Sequence, residues 1–200
     1  MNLPVMPPVA PMLARLAAGL PEGEGFVFEP KWDGFRAIVF HHGPELEIAS
    51  RNQRPMARYF PELAGPLLAG LPQRCVVDGE IVVPRGSGLD FDALLQRIHP
   101  AASRVAKLAA ETPACFVAFD LLALGDRDLR SEAFARRRRE LEAALPGGVP
   151  RLHLTPATSD RRVAAEWFSR FEGAGLDGVV AKRADLAYLE GERAMLKVKH

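Results

Sequence analysis

Apolar residues along the chain gather into short, nearly continuous runs separated by polar and turn-forming stretches. FRAIVFHH at 35–42, CVVDGEIVV at 75–83 and CFVAFDLLAL at 115–124 predict largely buried strands. After Gly43-Pro44 the first run is followed by ELEIASRN at 45–52, and the pair predicts a hairpin. LDGVVAKR at 176–183 and MLKVKH at 195–200 return to strand character. Helical spacing predicts helices over about 90–98 with Asp90 as N-cap, over 132–145 after Ser131, and over 160–173 after Ser159. The opening stretch, with prolines at 4, 7, 8 and 11, predicts an irregular lead-in and then a short helix from about Met12. It has no basic leader before its apolar part and fits neither a signal peptide nor a membrane span. Strands and helices mix without an internal repeat or regular βαβ spacing, and GSG at 86–88 predicts a turn. The fold class is therefore α+β, with mostly antiparallel sheets and flanking helices.

Composition narrows this picture in three ways. Two hundred residues at 48% hydrophobic content suffice for one domain with a sizeable core. A net charge of +1 excludes a uniformly basic protein, so any nucleic-acid contact must come from local patches. Cys75 and Cys115 both lie inside apolar runs and read as buried free thiols, which points to a cytoplasmic setting without disulfides. The run Arg136 to Arg139, in SEAFARRRRELEAAL, reads as the solvated side of a helix whose Phe134, Leu141 and Leu145 face inward. His41 and His42 read as a hairpin tip, since the five histidines show no metal-ligand spacing.

Of 26 basic residues only five are lysines, at 31, 107, 182, 197 and 199. Arginine serves wherever a solvated charge or a forked contact is needed, whereas only an amine can shed its proton near neutral pH and attack an electrophile. Lys31 stands just before the Asp33-Gly34 turn and five residues before Arg36. A nucleophilic lysine needs its ammonium destabilised, and one cation about 6 Å away contributes roughly 3 kcal/mol at an effective dielectric of 20. Arg36, Lys182, Lys197 and Lys199 are the candidate neighbours. Lys197 and Lys199 share one strand face, with Leu196 and Val198 on the other, which fits a phosphate-facing ladder or a charged protective edge.

Carboxylates recur in similar settings. Asp78 and Glu80 share a face of an otherwise apolar strand, and Asp177 heads DGVVAKR. Buried carboxylates need cationic or metal partners, and Mg²⁺ characteristically takes one or two carboxylates together with phosphate oxygens. Glu80 and Asp177 are the candidate ligands. Asp177 and Lys182 are five apart, so a regular strand would send them to opposite faces. If both serve one site, Asp177 must lie in a turn before the strand, with Gly178 bending the chain.

These residues carry a resemblance. KWDGFR at 31–36 resembles the first motif, K-x-D-G-x-R, of the covalent nucleotidyltransferases. SRN at 50–52, DGE at 78–80, FVAFDLL at 116–122, DGVVAK at 177–182 and LKVK at 196–199 follow in the family's order. PMLA at 11–14, EPKWDGFRA and the YLEGER spacer before LKVK make the chain most similar to bacterial ATP-dependent DNA ligases of the end-joining and repair type. Six ordered motifs across nearly the whole chain are specific, where K-x-D-G alone would be weak.

The resemblance implies an ATP-grasp-like nucleotidyltransferase fold of two mostly antiparallel sheets with flanking helices, shared by DNA ligases and mRNA-capping enzymes. It implies ATP and Mg²⁺ or Mn²⁺ as cofactors, and nicked double-stranded DNA as the partner, with DNA end-binding repair proteins as further candidates. Lys31 would take AMP. Glu29 and a stacking Phe119 would hold adenine, and Arg51 with Glu80 the ribose. Arg36, Lys182, Lys197 and Lys199 would neutralise phosphate oxygens, and Glu80 and Asp177 would place the metal. The family has Glu where this chain has Asp177, and an aromatic residue where it has Met195. It also continues past LKVK into an OB-fold, so residues 1–200 are expected to be an adenylation domain without that module. A catalytically weak ATP- and DNA-binding module, an RNA ligase and a GTP-using capping enzyme are the alternatives left open.

Overall fold

The computed structural model describes residues 1–145, 147–171 and 175–200. Two sheets dominate it. The larger is nucleated by β3 (Phe35–His42), which pairs antiparallel on one side with β4 (Glu45–Ser50) and on the other with β5 (Arg74–Val82). β5 in turn pairs antiparallel with β8 (Cys115–Leu124), whose far edge carries the short parallel strand β10 (Leu152–Leu154) and, near its end, β9 (Arg127–Asp128). The smaller sheet has the order β1 (Ala14–Leu16), β12 (Met195–Val198), β11 (Leu176–Arg183), β2 (Phe26–Trp32). The strands β6 (Pro84–Arg85) and β7 (Gly88–Leu89) form the turn predicted at GSG, with Gly86 at φ +59°.

The central strands of the larger sheet are buried on both faces, which is why their sequences read as continuous apolar runs. Ala37 and Val39 of β3 join one core with Val77, Phe116 and Leu121, covered by α1 (Pro61–Gly70) through Leu63 and Leu67. Ile38 and Phe40 face the opposite core, closed by Leu3, Val5, Val9 and Met12 from the prolyl lead-in. α2 (Phe91–Leu95) is capped as predicted, the Asp90 carboxylate accepting from the Ala93 N–H at 2.8 Å. α3 (Ala102–Glu111) stands against α1. α4 (Phe134–Ala144) packs on β8, and α5 (Arg161–Phe171) covers the smaller sheet with Ala164, Trp167 and Phe168. The predicted helix over 160–173 is thus present from 161, and its last two positions lie outside the described residues.

Three expectations change. No helix starts at Met12, which is buried and outside any helix or strand, because the backbone that follows is bonded to β12 and the turn before it: the Leu13 N–H donates to the Glu192 carbonyl at 2.7 Å and the Ala17 N–H to the Lys197 carbonyl at 2.9 Å. Helices α1 and α3 have no counterpart among the predicted ones. The arginine run is only half solvated. Arg136 makes the expected i,i+4 pair with Glu132, but Arg137 is fully buried against Asp120 at 2.8 Å and Arg138 is buried as well. The His41–His42 hairpin tip is as expected, with His41 Nε2 2.8 Å from the Gly43 carbonyl.

Candidate active site

The two sheets face each other across a cavity of about 200 Å³. β2 sends Glu29 and Lys31, two residues apart and therefore on one face, into it from the smaller sheet, where Lys182 of β11 and Lys197 of β12 join them. From the larger sheet come Arg36 of β3, Glu80 of β5 and Phe119 of β8, with Arg51 just past β4. Only Asp33 and Gly34 separate β2 from β3. Lys31 and Arg36, close in sequence, therefore belong to opposite walls.

At one end the polar groups are almost dry. Glu29 is 2% exposed, and its Oε2 lies 2.7 Å from Lys182 Nζ. Burial pushes the Glu29 carboxyl up, against the pull of Lys182 and then Arg138. Glu29 Oε1 is buried without a hydrogen-bond partner and lies 3.6 Å from Arg138 Nη1. The Phe119 ring lies beneath two cations, Arg36 at 4.8 Å and Lys182 at 4.9 Å. Trp32 lines the same cavity and donates from its indole N–H to Thr155 Oγ1 at 2.9 Å.

At the other end positive charge accumulates. Lys197 is held below the ordinary lysine range by burial and then by Lys31, Lys199, Arg193 and Arg51. Asp177 bridges two amines: its Oδ2 is 2.8 Å from Lys31 Nζ and 2.8 Å from Lys199 Nζ. Burial pushes the Asp177 carboxyl up, but the hydrogen bonds from Lys199 and Lys31 outweigh this and hold it below the usual carboxylate range. Asp177 reaches this position by a bulge. Leu176 pairs with Trp32 and Val179 with Pro30, so three steps on β11 oppose two on β2, and Gly178 takes φ +119°. A Cβ at Gly178 would run into the Val198 carbonyl oxygen. The extra residue flips the parity, so Asp177 and Lys182 serve the same side although they are five apart. The bend lies inside the strand rather than in a turn before it.

The carboxylates of β5 differ sharply. Asp78 is fully buried and takes a forked pair from Arg36, Nε to Oδ1 and Nη2 to Oδ2, each 2.6 Å. Its Oδ2 also accepts from the Tyr188 hydroxyl at 2.6 Å. Glu80 faces the cavity and has no hydrogen bond or ion pair among the described residues; burial pushes its carboxyl up to about 7, against the pull of Arg36 and Lys31. Such an arrangement can hold a planar base over Phe119, present an amine to a phosphorus, and gather anionic oxygens on Lys197, Arg193 and Arg51.

Residues 11–199 match the family model described as ATP dependent DNA ligase domain. The chain belongs to this family. It is 58% identical over 200 residues to DNA ligase C2 of Mycolicibacterium smegmatis, all of this chain against 56% of that protein. DNA ligase C of Mycobacterium tuberculosis is 54% identical over 204 residues, again with 56% of its length covered. Among solved structures, mycobacterial DNA ligase D complexed with ATP and MES superposes with a TM-score of 0.70 at 31% identity, over 96% of this chain and 60% of that one. The chain thus spans little more than half the length of these relatives. The fold class predicted for the ligase family is the one observed.

Within this ligase-family domain, Glu29, Lys31, Arg36, Arg51, Glu80, Phe119, Lys182 and Lys197 all line one cavity. Asp177 and Lys199 join it through Lys31. The pattern of partners departs from the expectation in two respects. The neighbour touching Lys31 is an anion, Asp177, and three of the four expected phosphate cations are already engaged, Lys182 by Glu29, Arg36 by Asp78 and Lys199 by Asp177. Sequence reasoning missed Trp32, Arg193 and Arg138. Arg193 had a signal, lying in the spacer two residues before Met195. Arg138 had none, because its run reads as solvated. Met195, where the family carries an aromatic residue, lines the cavity. Among the described residues no helix is long and apolar enough to cross a membrane.

Proposed function

We propose that this domain carries out the nucleotidyl-transfer step of an ATP-dependent DNA ligase, with Lys31 as the nucleophile. The observation that carries the reading is that Lys31 lines one cavity together with Glu29 and Phe119 and with the cationic cluster around Lys197. Adenine lies over Phe119 with its amino group toward Glu29, and Arg51 and Glu80 flank the ribose. On leaving Asp177 the Lys31 ammonium sheds a proton to solvent, its Nζ lone pair forms a bond to the α-phosphorus as the bond to pyrophosphate breaks, and the leaving oxygens gather on Lys197, Lys199 and Arg193. Attack requires Nζ to leave the ion pair with Asp177, so Asp177 stores the amine in place between turnovers. The domain then passes AMP from Lys31 to the 5′-phosphate of a nicked duplex, where the 3′-hydroxyl displaces it.

The donor set fits Mg²⁺ or Mn²⁺: Glu80 offers a cavity-facing carboxylate without a partner, and Asp177 lies beside the phosphate end. Bound there, the cation would supply charge neutralisation at the phosphate oxygens.

Incubation with [α-³²P]ATP and a divalent cation, followed by a denaturing gel, tests the reading. Wild-type protein should carry label that Lys31→Arg lacks while remaining folded. Label from GTP instead of ATP, or label retained by the variant, would refute it.

A further inference from the structure

Lys31 occupies a loosely laddered stretch of its strand. Pro30 before it has no N–H to give, and the β2–β11 ladder passes from Leu176–Trp32 to Val179–Pro30 with no register partner for Lys31, which stands opposite the bulge. On the other edge of β2 the one bridge among the described residues is Phe28–Thr158, three residues back, closed by N–H···O bonds of 2.8 and 3.0 Å. What fastens this end is a side chain, the indole of Trp32. It packs on Val82, Cys115 and Val117 of the larger sheet, and its N–H donates to Thr155 Oγ1 at 2.9 Å. Thr155 is fully buried, and both of its backbone groups are bonded: its N–H donates to the Ala118 carbonyl at 2.9 Å, and its carbonyl accepts from Arg138 Nη2 at 2.8 Å. The pin thus runs from the residue after Lys31 to a threonine bonded to the residue before Phe119.

We propose that Thr155 is a positioning residue for nucleotidyl transfer: through its hydrogen bond to Trp32 it sets the distance between the Lys31 amine and a nucleotide held over Phe119. The proposal rests on the reading that ATP adenylates Lys31. Attack needs the reacting atoms about 3–3.5 Å apart and aligned, and a misplacement of about 1 Å can cost about 100-fold in rate. Thr155 is not among the residues lining the cavity, so it acts only through what it holds. The groups that would bind the nucleotide, Phe119, Arg51, Glu80 and the cations around Lys197, make no contact with this bond. Its loss therefore shifts the nucleophile and leaves the nucleotide's own contacts in place. Trp32 does line the cavity, which makes Thr155 the cleaner position to perturb.

The test follows AMP transfer to Lys31 by intact mass in single turnovers over a range of ATP concentrations, at a temperature where circular dichroism shows each protein folded. Thr155→Val keeps the side-chain shape and removes the acceptor. It should lower the maximal rate about 30-fold, with the ATP concentration for half-maximal rate within about twofold of wild type. Thr155→Ser returns the hydroxyl and should come back to within about threefold of the wild-type rate. Trp32→Phe, which keeps a ring on Val82, Cys115 and Val117 but loses the N–H, should behave as Thr155→Val does, and the double variant should be no slower than the slower single one, since both changes break one bond. A Thr155→Val protein as fast as wild type overturns the proposal and leaves the Lys31 reading standing. Losses of rate and of ATP affinity in step, a Thr155→Ser protein as slow as Thr155→Val, or losses that add in the double variant would assign the pair a purely structural role and overturn it too. Should Thr155→Val not fold, Trp32→Phe decides alone by the same split between rate and affinity. Wild-type protein that forms no adduct removes the Lys31 reading and this proposal with it.

Discussion

Tyr188→Phe isolates the buried ring of hydrogen bonds that seats Arg36 at the cavity. The Tyr188 hydroxyl donates to Asp78 Oδ2 at 2.6 Å and accepts from the Met12 N–H at 3.1 Å. The Met12 carbonyl accepts from Arg36 Nη2 at 2.9 Å, and Arg36 grips Asp78, closing the loop. Four elements distant in sequence meet there, and Tyr188 is only 4% exposed. Phenylalanine fills the same volume, so no cavity term enters. The variant loses a hydrogen bond to an ionised carboxylate, about 2 kcal/mol, and strands a buried backbone N–H, about 1 kcal/mol more. Tyr188→Phe should therefore cost about 3 kcal/mol, seen in urea titrations as a lower midpoint at unchanged slope, and lower the melting temperature by roughly 10 °C for a chain of this size. Tyr59→Phe is the control: its hydroxyl has no hydrogen bond among the described residues, and the change should stay within about 0.5 kcal/mol. A Tyr188→Phe loss no larger than that control would refute the closed ring as a source of stability.

Gly178→Ala should cost at least about 3 kcal/mol and sharply reduce soluble yield, because the bulge needs φ +119° and leaves no room before the Val198 carbonyl; an unchanged melting curve would contradict the bulge. Lys197→Ala should slow adenylation about 100-fold with KM for ATP within about threefold, whereas Lys199→Ala, whose partner is Asp177 at the cavity edge, should slow it less. Equal losses in binding and rate for both would favour a structural strand edge. For Glu80 the sign follows from a carboxyl pushed up to about 7 in the fold, from 4.5. The folded state holds this proton more tightly than the unfolded chain, so its contribution to stability is full below about pH 4.5 and lost as pH rises through about 7. In EDTA, Glu80→Gln should thus stabilise the domain by about 2 kcal/mol at pH 8 and not at pH 4.5; the same gain at both values would rule the effect out.

Much of the architecture was legible because buried strands announce themselves by continuous apolar runs, and Lys31, the proposed nucleophile, stood out because the chain is so sparing with lysine. What escaped has physical causes. α1 carries Pro66 and two glycines, poor helix formers overridden by the burial of Leu63 and Leu67. α3 does carry a signal, since Val105 and Leu108 lie three apart on its buried side. β1 and β10 have three residues each and exist only because parallel partners from elsewhere in the chain fix them. Arg137 and Arg138 defeat any reading by polarity alone, since their burial depends on Asp120 and on the Thr155 carbonyl, which sequence distance hides. For Asp177, parity arithmetic identified the conflict with Lys182 but not the bulge that resolves it.

The two-residue link between β2 and β3 makes the spacing of the cavity walls a mechanical quantity. Because Asp33 and Gly34 join the strand bearing Lys31 directly to the strand bearing Arg36, there is no slack through which one wall can drift from the other. A Cβ at Gly34 would press into the Ile81 carbonyl, so the link is also clamped from the side by β5. A nucleotide touching both walls then acts as a spacer in a jig of fixed gauge. One inserted residue at this joint would throw the walls out of alignment while leaving every side chain of the pocket intact.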